Sequence, residues 1–251
     1  MEQYLRVMAF LGEEALEILQ KKKVTVFGLG AVGSFAVEAL ARSGVGHIRI
    51  VDFDRVSPSN INRQLFALHS SLGEFKTEVA ARRLLDINPK LHLEVFTTRA
   101  NQENYAGLLD NEPDLVLDAI DSLAEKVGLL TYCYREGIKI ISSMGAAMKR
   151  RPELVRTGDI MKTTICSLAR AVRKNLKKNG VGRGIDCVYS VEGVNRDPEL
   201  LERLGELDQE YQNSSKRQLL GSLGTLTGIF GLTLAQLALD KLLNLRENDN
   251  L

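Results

Sequence analysis

Residues 24–43 read VTVFGLGAVGSFAVEALARS: a short apolar, β-branched run, a GxGxxG turn, then an alanine-rich stretch with helical spacing. Few backbones satisfy that order. The first run predicts a buried strand, and the alanine-rich stretch predicts a helix whose leading N–H groups point back at the turn. A strand, turn and helix so joined receive the phosphates of a nucleotide. Gly28 permits the sharp bend, Gly30 lets backbone N–H groups approach phosphate oxygens, and Gly33 lets the helix lie close against the strand. Nineteen residues beyond Gly33 a second apolar run, HIRIVDFD, places Asp52 where a carboxylate accepts hydrogen bonds from ribose hydroxyls.

To that point the pattern suits any dinucleotide site, NAD and FAD sites included. The polar residues that follow, Asn60, Arg63, Gln64 and Lys76, separate the readings. A dinucleotide's pyrophosphate is served by the helix N-terminus alone. A triphosphate carries about four negative charges, which Arg, Lys and a divalent ion must balance before an incoming carboxylate can approach. Asp121, behind the apolar run DLVLDA, is a candidate ligand for that ion. Taken singly, Arg63 or Lys76 reads equally well as part of a solvated helical face. Taken with Asp52 and Asp121 at strand ends, where open α/β sheets bind ligands, the set favours function.

Apolar runs at 24–27, 47–52, 91–96, 114–119 and 138–142 alternate with helical patterns near 32–43, 75–87, 102–110 and 122–136. The alternation predicts an α/β, Rossmann-like, mostly parallel sheet with helices on both faces, extended by antiparallel strands and a C-terminal apolar helix. Lys76 falls in the first turn of the helix at 75–87, so its ammonium is expected near the strand ends. At 251 residues, 44% hydrophobic and 26% charged, the chain is long enough for one core. The expectation is a single domain over 1–251, with a nucleotide-binding half at about 20–145 and a substrate-binding half at 146–251.

GLGAVG, the block VDFDRVSPSNINRQ, Lys76 and DAIDS together resemble the ubiquitin-activating-enzyme-like adenylating proteins, which include the molybdopterin and thiamine sulfur-carrier activators. The resemblance implies ATP and Mg2+ as cofactors. It also implies that Asp52 holds the ribose, that Asn60, Arg63 and Lys76 hold phosphates, that Asp121 assists magnesium, and that Asp121 and Ser122 line the cofactor site. Arg6, two residues after Tyr4, stands at the spacing of a family arginine that crosses a homodimer to the partner's terminal phosphate. Residues 142–178 and 184–192 look like one branch of the family, the bacterial tRNA threonylcarbamoyladenosine dehydratases. The chain departs from that branch in having Arg151-Pro152 for Asp-Pro, and Cys166-Ser167 where CPLAR is usual. The resemblance covers roughly residues 4–245.

Three cysteines, Cys133, Cys166 and Cys187, without close pairing point to a reducing compartment. The start, MEQYLRVMAF, has no secretory pattern, so a cytoplasmic location is expected. No CxxC occurs, and zinc is therefore not expected. Residues 190–220 contain no cysteine to carry a thioester or persulfide. Cys187, in the apolar run CVYSV, reads as a small buried hydrophobe. His47, His69 and His92 lack ligand spacing and are assigned no role.

Between Lys149 and Arg183 eleven Lys or Arg residues face two acids, while Glu192 to Glu210 holds seven acids against two arginines. The stretch 149–183 is a candidate tRNA surface, although such residues on a helix also form an ordinary wet face. The run at 219–239 has 21 residues without a charge, enough to span a bilayer. Thr225, Thr227, Thr233 and Gln236 are costly in lipid, which favours a core helix and leaves peripheral membrane association as the alternative.

The resemblance implies adenylation of the carboxylate of threonylcarbamoyladenosine in tRNA, then ring closure by the side chain's own nitrogen with release of AMP. Such closure needs no enzyme nucleophile. The charge on the phosphates falls to Arg63, Lys76, Arg6 and magnesium. Two rivals stand beside it: adenylation of the C-terminal glycine of a sulfur-carrier or ubiquitin-like protein, with a sulfur-transfer partner, and a non-catalytic NAD-binding scaffold.

Overall fold

The structure, a computed structural model, describes residues 2–194, 197–200, 202–204 and 220–245. Much of the acidic stretch 192–210, most of the cysteine-free segment 190–220, and Leu219 at the head of the apolar run lie outside the described residues. Two helices, α1 (Leu5–Leu11) and α2 (Glu13–Lys21), lead into β1 (Lys23–Phe27). Then come α3 (Gly33–Arg42), β2 (His47–Asp52), α4 (Lys76–Ile87), β3 (His92–Thr97), α5 (Tyr105–Leu108), β4 (Leu115–Asp118), α6 (Leu123–Arg135) and β5 (Ile140–Ser143). The second half supplies β6 (Val155–Asp159), α7 (Ser167–Lys178), β7 (Asp186–Ser190) and α8 (Gly224–Leu243).

The strands form one seven-stranded sheet in the order β3-β2-β1-β4-β5-β7-β6. All run parallel except β6, which closes the edge antiparallel to β7. Strands β4 and β5 are buried throughout, and β1 and β2 nearly so, because crossover helices cover both faces of a parallel sheet. The order reverses between β1 and β4, and it is outside the C-terminal ends of the strands at such a switch point that open α/β sheets have their ligand crevice.

Most elements lie within a residue or two of the ranges expected from periodicity. The helix expected at 102–110 contracts to the four residues Tyr105–Leu108. Asparagine side chains explain the late start: the Asn101 N–H donates to Asn104 Oδ1, Asn104 Nδ2 donates to the Arg99 carbonyl, and Glu103 N–H donates to Asn101 Oδ1. Each of these bonds offers the backbone an alternative to the helix ladder.

The uncharged C-terminal run forms α8, which begins at Gly224 and ends at Leu243, later than the expected 219–239. Its length and composition would suffice to cross a bilayer, yet most of its circumference is buried in protein. Leu226, Phe230, Leu234, Leu237, Ala238 and Leu242 enter the core, and the exposed positions Thr225, Leu232 and Gln236 form one narrow stripe. Glycines bring it so close. A Cβ on Gly231 would come within 2.4 Å of the Val32 carbonyl oxygen, and one on Gly224 within 2.8 Å of the Asn62 oxygen, so α8 rests directly on α3 and on the loop carrying Arg63. Lys241 adds an ion pair to Asp186 at 2.7 Å, tying the helix to β7.

The packing predicts opposite responses at neighbouring positions of α8. Phe230, fully buried, should cost about 3–5 kcal/mol when changed to Ala. Leu232, 52% exposed, should tolerate Lys within about 0.5 kcal/mol. Denaturant titration of both variants checks this, and the reverse order of sensitivity would mean that the helix faces lipid.

Candidate active site

The glycine turn is a set of near-contacts that side chains would prevent. Gly28 has φ of 89°, in the left-handed region, and a Cβ there would meet the Ala119 carbonyl oxygen at 2.8 Å. A Cβ on Gly33 would lie 1.8 Å from the Gly28 oxygen. The start of α3 is thus pressed onto the turn, and the loop after β4 is pressed beneath it. At the start of α3 the Ser34 N–H donates to the Gly30 oxygen and the Ala36 N–H to the Val32 oxygen, each at 3.1 Å, so the helix ladder begins inside the glycine turn. Beyond Gly30, Ser34 bonds back to the Gly30 oxygen through its hydroxyl at 2.7 Å, and that hydroxyl accepts the Leu65 N–H at 3.2 Å.

Asp52, at the end of β2, is buried and holds the turn in place. Its Oδ2 accepts the Leu29 N–H at 2.6 Å and its Oδ1 accepts the Asp54 N–H at 2.8 Å. Burial raises its pKa above the usual aspartate value, against the opposing pull of the Lys76 charge and the two N–H donors. Each carboxylate oxygen still has a second lone-pair direction, the capacity a ribose hydroxyl requires.

Lys76 is the first residue of α4, as its spacing implied, but its ammonium is buried against Asp54, with Nζ 2.7 Å from Oδ2. Asp54 itself is half exposed. The aspartate escaped the sequence reading, although the DFD spacing, two residues after Asp52, was its signal. Asn60 is buried, and its Oδ1 accepts the Ser57 N–H at 3.2 Å, closing the short 3-10 turn Pro58–Asn60. Its amide nitrogen carries two further donors. Arg63 follows on the same loop, with Nη1 donating to the Ser59 carbonyl at 2.5 Å and to Asn62 Oδ1 at 2.9 Å. Gln64 is buried near Gly30, its Nε2 3.9 Å from where a Cβ on Gly30 would stand.

Asp121 is exposed on the loop after β4, two residues beyond Ala119, and Ser122 precedes the first turn of α6. The strand-end aspartate of DAIDS, Asp118, is instead wholly buried and paired with Lys126 at 2.6 Å. Nothing in the sequence marked that pair, since residues eight apart on a strand and the next helix show no common pattern. The turn, Asp52, Lys76 and Asp121 therefore converge at the C-terminal edge of β1, β2 and β4.

Arg6 does not join them. Tyr4, two residues earlier, packs 3.5 Å from where a Cβ on Gly44 would lie, just ahead of β2 and so at the opposite edge of the sheet. A strand of six residues spans about 20 Å, well beyond an arginine's reach. Exposed on α1, Arg6 has no access to the crevice of its own chain from there.

The cysteines are buried. Burial pushes the Cys133 thiol up to about 12 and raises that of Cys187 as well, so neither is ionised for nucleophilic attack at neutral pH.

The basic stretch divides into structural and outward members. Lys149 is buried and donates to the Glu192 carbonyl, Arg151 pairs with Glu153 at 2.7 Å, and Arg173 donates to the Thr163 carbonyl and hydroxyl oxygens. Helix α7 buries Ala169, Val172 and Leu176 and turns Arg170, Lys174, Lys177 and Lys178 outward. Its first turn lies over the end of β5, with Leu168 and Cys166 packed at Gly145.

The ThiF family model matches residues 3–251. A tRNA threonylcarbamoyladenosine dehydratase of Bacillus subtilis is 41% identical over 192 residues, 76% of this chain and 76% of that protein. tRNA threonylcarbamoyladenosine dehydratase 2 of Saccharomyces cerevisiae is 38% identical over 252 residues, 93% of this chain but 56% of that protein, so the chain spans little more than half of the yeast relative. The crystal structure of Escherichia coli tRNA N6-threonylcarbamoyladenosine dehydratase in complex with ATP superposes with a TM-score of 0.86 at 31% identity, covering 99% of this chain and 97% of that one.

Asp52 provides a test of the site's electrostatics. Its folded pKa lies above the unfolded value, so the stability it contributes is complete below the unfolded pKa, about 4, and is lost as pH rises through the folded pKa. The stability of Asp52→Asn measured against the wild type should therefore improve as pH rises through that window. A difference independent of pH would show that the carboxylate is not strained by burial.

Proposed function

This chain belongs to the ThiF family, and from that membership we propose that it is an ATP-dependent tRNA threonylcarbamoyladenosine dehydratase, adenylating the carboxylate of threonylcarbamoyladenosine and closing it to the cyclic form. The observation that carries the reading is the convergence of the glycine turn, Asp52, Lys76 and the Asp121 loop at the sheet's switch point, in a chain that follows the ATP-bound E. coli dehydratase over nearly its whole length. The nucleotide half, about 20–145, and the substrate half, 146–251, act as one adenylation domain because β5 and β7 pair within one sheet.

Asp52 accepts the ribose hydroxyls. The positive end of the α3 dipole, Asn60, Arg63 and Lys76 take the phosphates, with Lys76 exchanging part of its bond to Asp54 for a phosphate oxygen. When bound, a magnesium ion neutralises charge on the departing pyrophosphate. Asp121 is the carboxylate that would hold it. Among the described residues no group of three His, Cys, Asp or Glu side chains is placed to hold a metal alone, which suits an ion completed by phosphate oxygens and water.

In the first step a carboxylate oxygen of the modified adenosine attacks the α-phosphorus and the bond to pyrophosphate breaks. In the second, the side chain's own nitrogen attacks the acyl carbon, loses its proton, and expels AMP with the former carboxylate oxygen. The tether between nucleophile and acyl carbon makes this step easy without an enzyme thiol, in keeping with the raised thiols of Cys133 and Cys187.

Arg6, remote from its own crevice, serves a partner's terminal phosphate in a homodimer. The outward face of α7, whose first turn overlies the end of β5 beside the crevice, receives the tRNA backbone. The chain works in the cytoplasm, with α8 committed to the core.

Lys76→Ala and Asp121→Ala should each lower tRNA-dependent exchange between pyrophosphate and ATP by about 100-fold or more, and the variant at the exposed Asp121 should keep the wild-type melting profile. Mass analysis of tRNA nucleosides after incubation with protein, ATP and magnesium should show threonylcarbamoyladenosine losing one water. Retained exchange in both variants removes these residues from the chemistry. Charge reversal of Arg170, Lys174 and Lys177 should weaken tRNA binding at low salt and flatten its salt dependence, by about one unit of log–log slope for each phosphate the variant no longer neutralises. Unchanged affinity would make α7 an ordinary solvated surface.

A further inference from the structure

Below the loop that carries Asp121 lies a charged pair wholly removed from water: Asp118 and Lys126 are both 0% exposed. The Lys126 ammonium donates to Asp118 Oδ2 at 2.6 Å, to Ser142 Oγ at 3.3 Å and to the Ser143 carbonyl at 3.0 Å, using all three of its donors. Ser142 Oγ donates to the same Asp118 Oδ2 at 2.6 Å. The other oxygen, Oδ1, accepts the Ile120 N–H at 3.0 Å.

These bonds join the two strand ends that floor the crevice. Asp118 ends β4, and its grip on Ile120 sets the turn between Ala119, lodged under Gly28, and Asp121. Ser143 ends β5 and opens the segment Met144–Gly145 on which the start of α7 rests. One ammonium is thereby shared between the nucleotide loop and the loop leading to the substrate half. As a source of stability such a pair is a poor choice, because desolvating two charges cancels most of their attraction and apolar residues of equal volume often serve as well. What apolar residues cannot supply is direction.

We propose that Asp118, Lys126 and Ser142 are positioning residues for the adenylation step, fixing the 119–122 loop and the segment after β5 at set distances from the α-phosphorus. The proposal rests on the dehydratase reading, and it assigns none of the three a contact with the reacting atoms. Each acts through the loops it holds. A displacement of about 1 Å at such a loop is enough to slow a reaction about 100-fold.

The test replaces the pair with apolar residues of similar volume, Asp118→Leu with Lys126→Met. The expected variant folds cooperatively and keeps its KM for ATP within about threefold while kcat for AMP release falls about 100-fold. Amide exchange in the peptide spanning residues 118–123 should accelerate about tenfold. Asp118→Asn with Lys126→Met retains an acceptor for Ile120 without the charge and should recover at least about tenfold of the lost kcat. A kcat within about twofold of wild type in the apolar variant, or unaltered exchange, overturns the proposal. Should the apolar variant fail to fold, Ser142→Ala decides: kcat lowered about fivefold with an unchanged melting profile supports positioning, and an unchanged kcat refutes it. If the dehydratase reading is itself wrong, the wild type releases no AMP, and the amide-exchange comparison, which needs no turnover, still tests the role of the pair.

Discussion

The site depends on an absence of atoms at Gly28 and Gly33. With α3 seated within van der Waals contact of the turn, and the Ala119 loop seated beneath Gly28, the N-terminus of α3 is aimed at the crevice between β1 and β4. A side chain at Gly33 would lift the helix from the turn, and one at Gly28 would push away the Ala119 loop. Asp52 secures the same turn from the side through the Leu29 N–H, so the residue proposed to hold the ribose also holds the loop proposed to face the phosphates.

Charge at the site is arranged by burial. Lys76 is buried while its partner Asp54 is half exposed, so the ammonium stays near the strand ends and the carboxylate keeps contact with water. Lys126, by contrast, has every donor committed inside protein, which suits a group that sets geometry and does not move. On the outer surface the same residue type takes a third role, since the lysines of α7 project into water above a buried apolar seam. Lysine thus occurs in three environments, and solvent access distinguishes them.

Much of this was legible in the chain. Hydrophobic period and glycine spacing gave the parallel sheet, the turn, and the places of Asp52, Lys76 and Asp121, because each lies at a fixed offset from a strand end. The asparagine bonds that shorten α5 to four residues override its helical period, and β6 has no alternation that separates it from a loop. The α8 run has the same composition as a membrane span. Its burial follows from glycines whose contacts, with Val32 and Phe35 of one segment and Asn62 of another, lie far away in sequence.

The sequence by itself determined the class of fold and the places of the candidate nucleotide-site residues, since both rest on local rules: which residues tolerate a sharp turn, which present an apolar face, and which carry charge at a strand end. Only the tertiary structure decided which charges are committed within the protein and which are offered outward. It withdrew Arg173 and Lys149 from the basic surface, removed Arg6 to the far edge of the sheet, and joined Asp118 to Lys126. Those outcomes depend on distances between residues brought together by packing, and solvent exclusion, which gives such pairs their strength, exists only once the layers have closed.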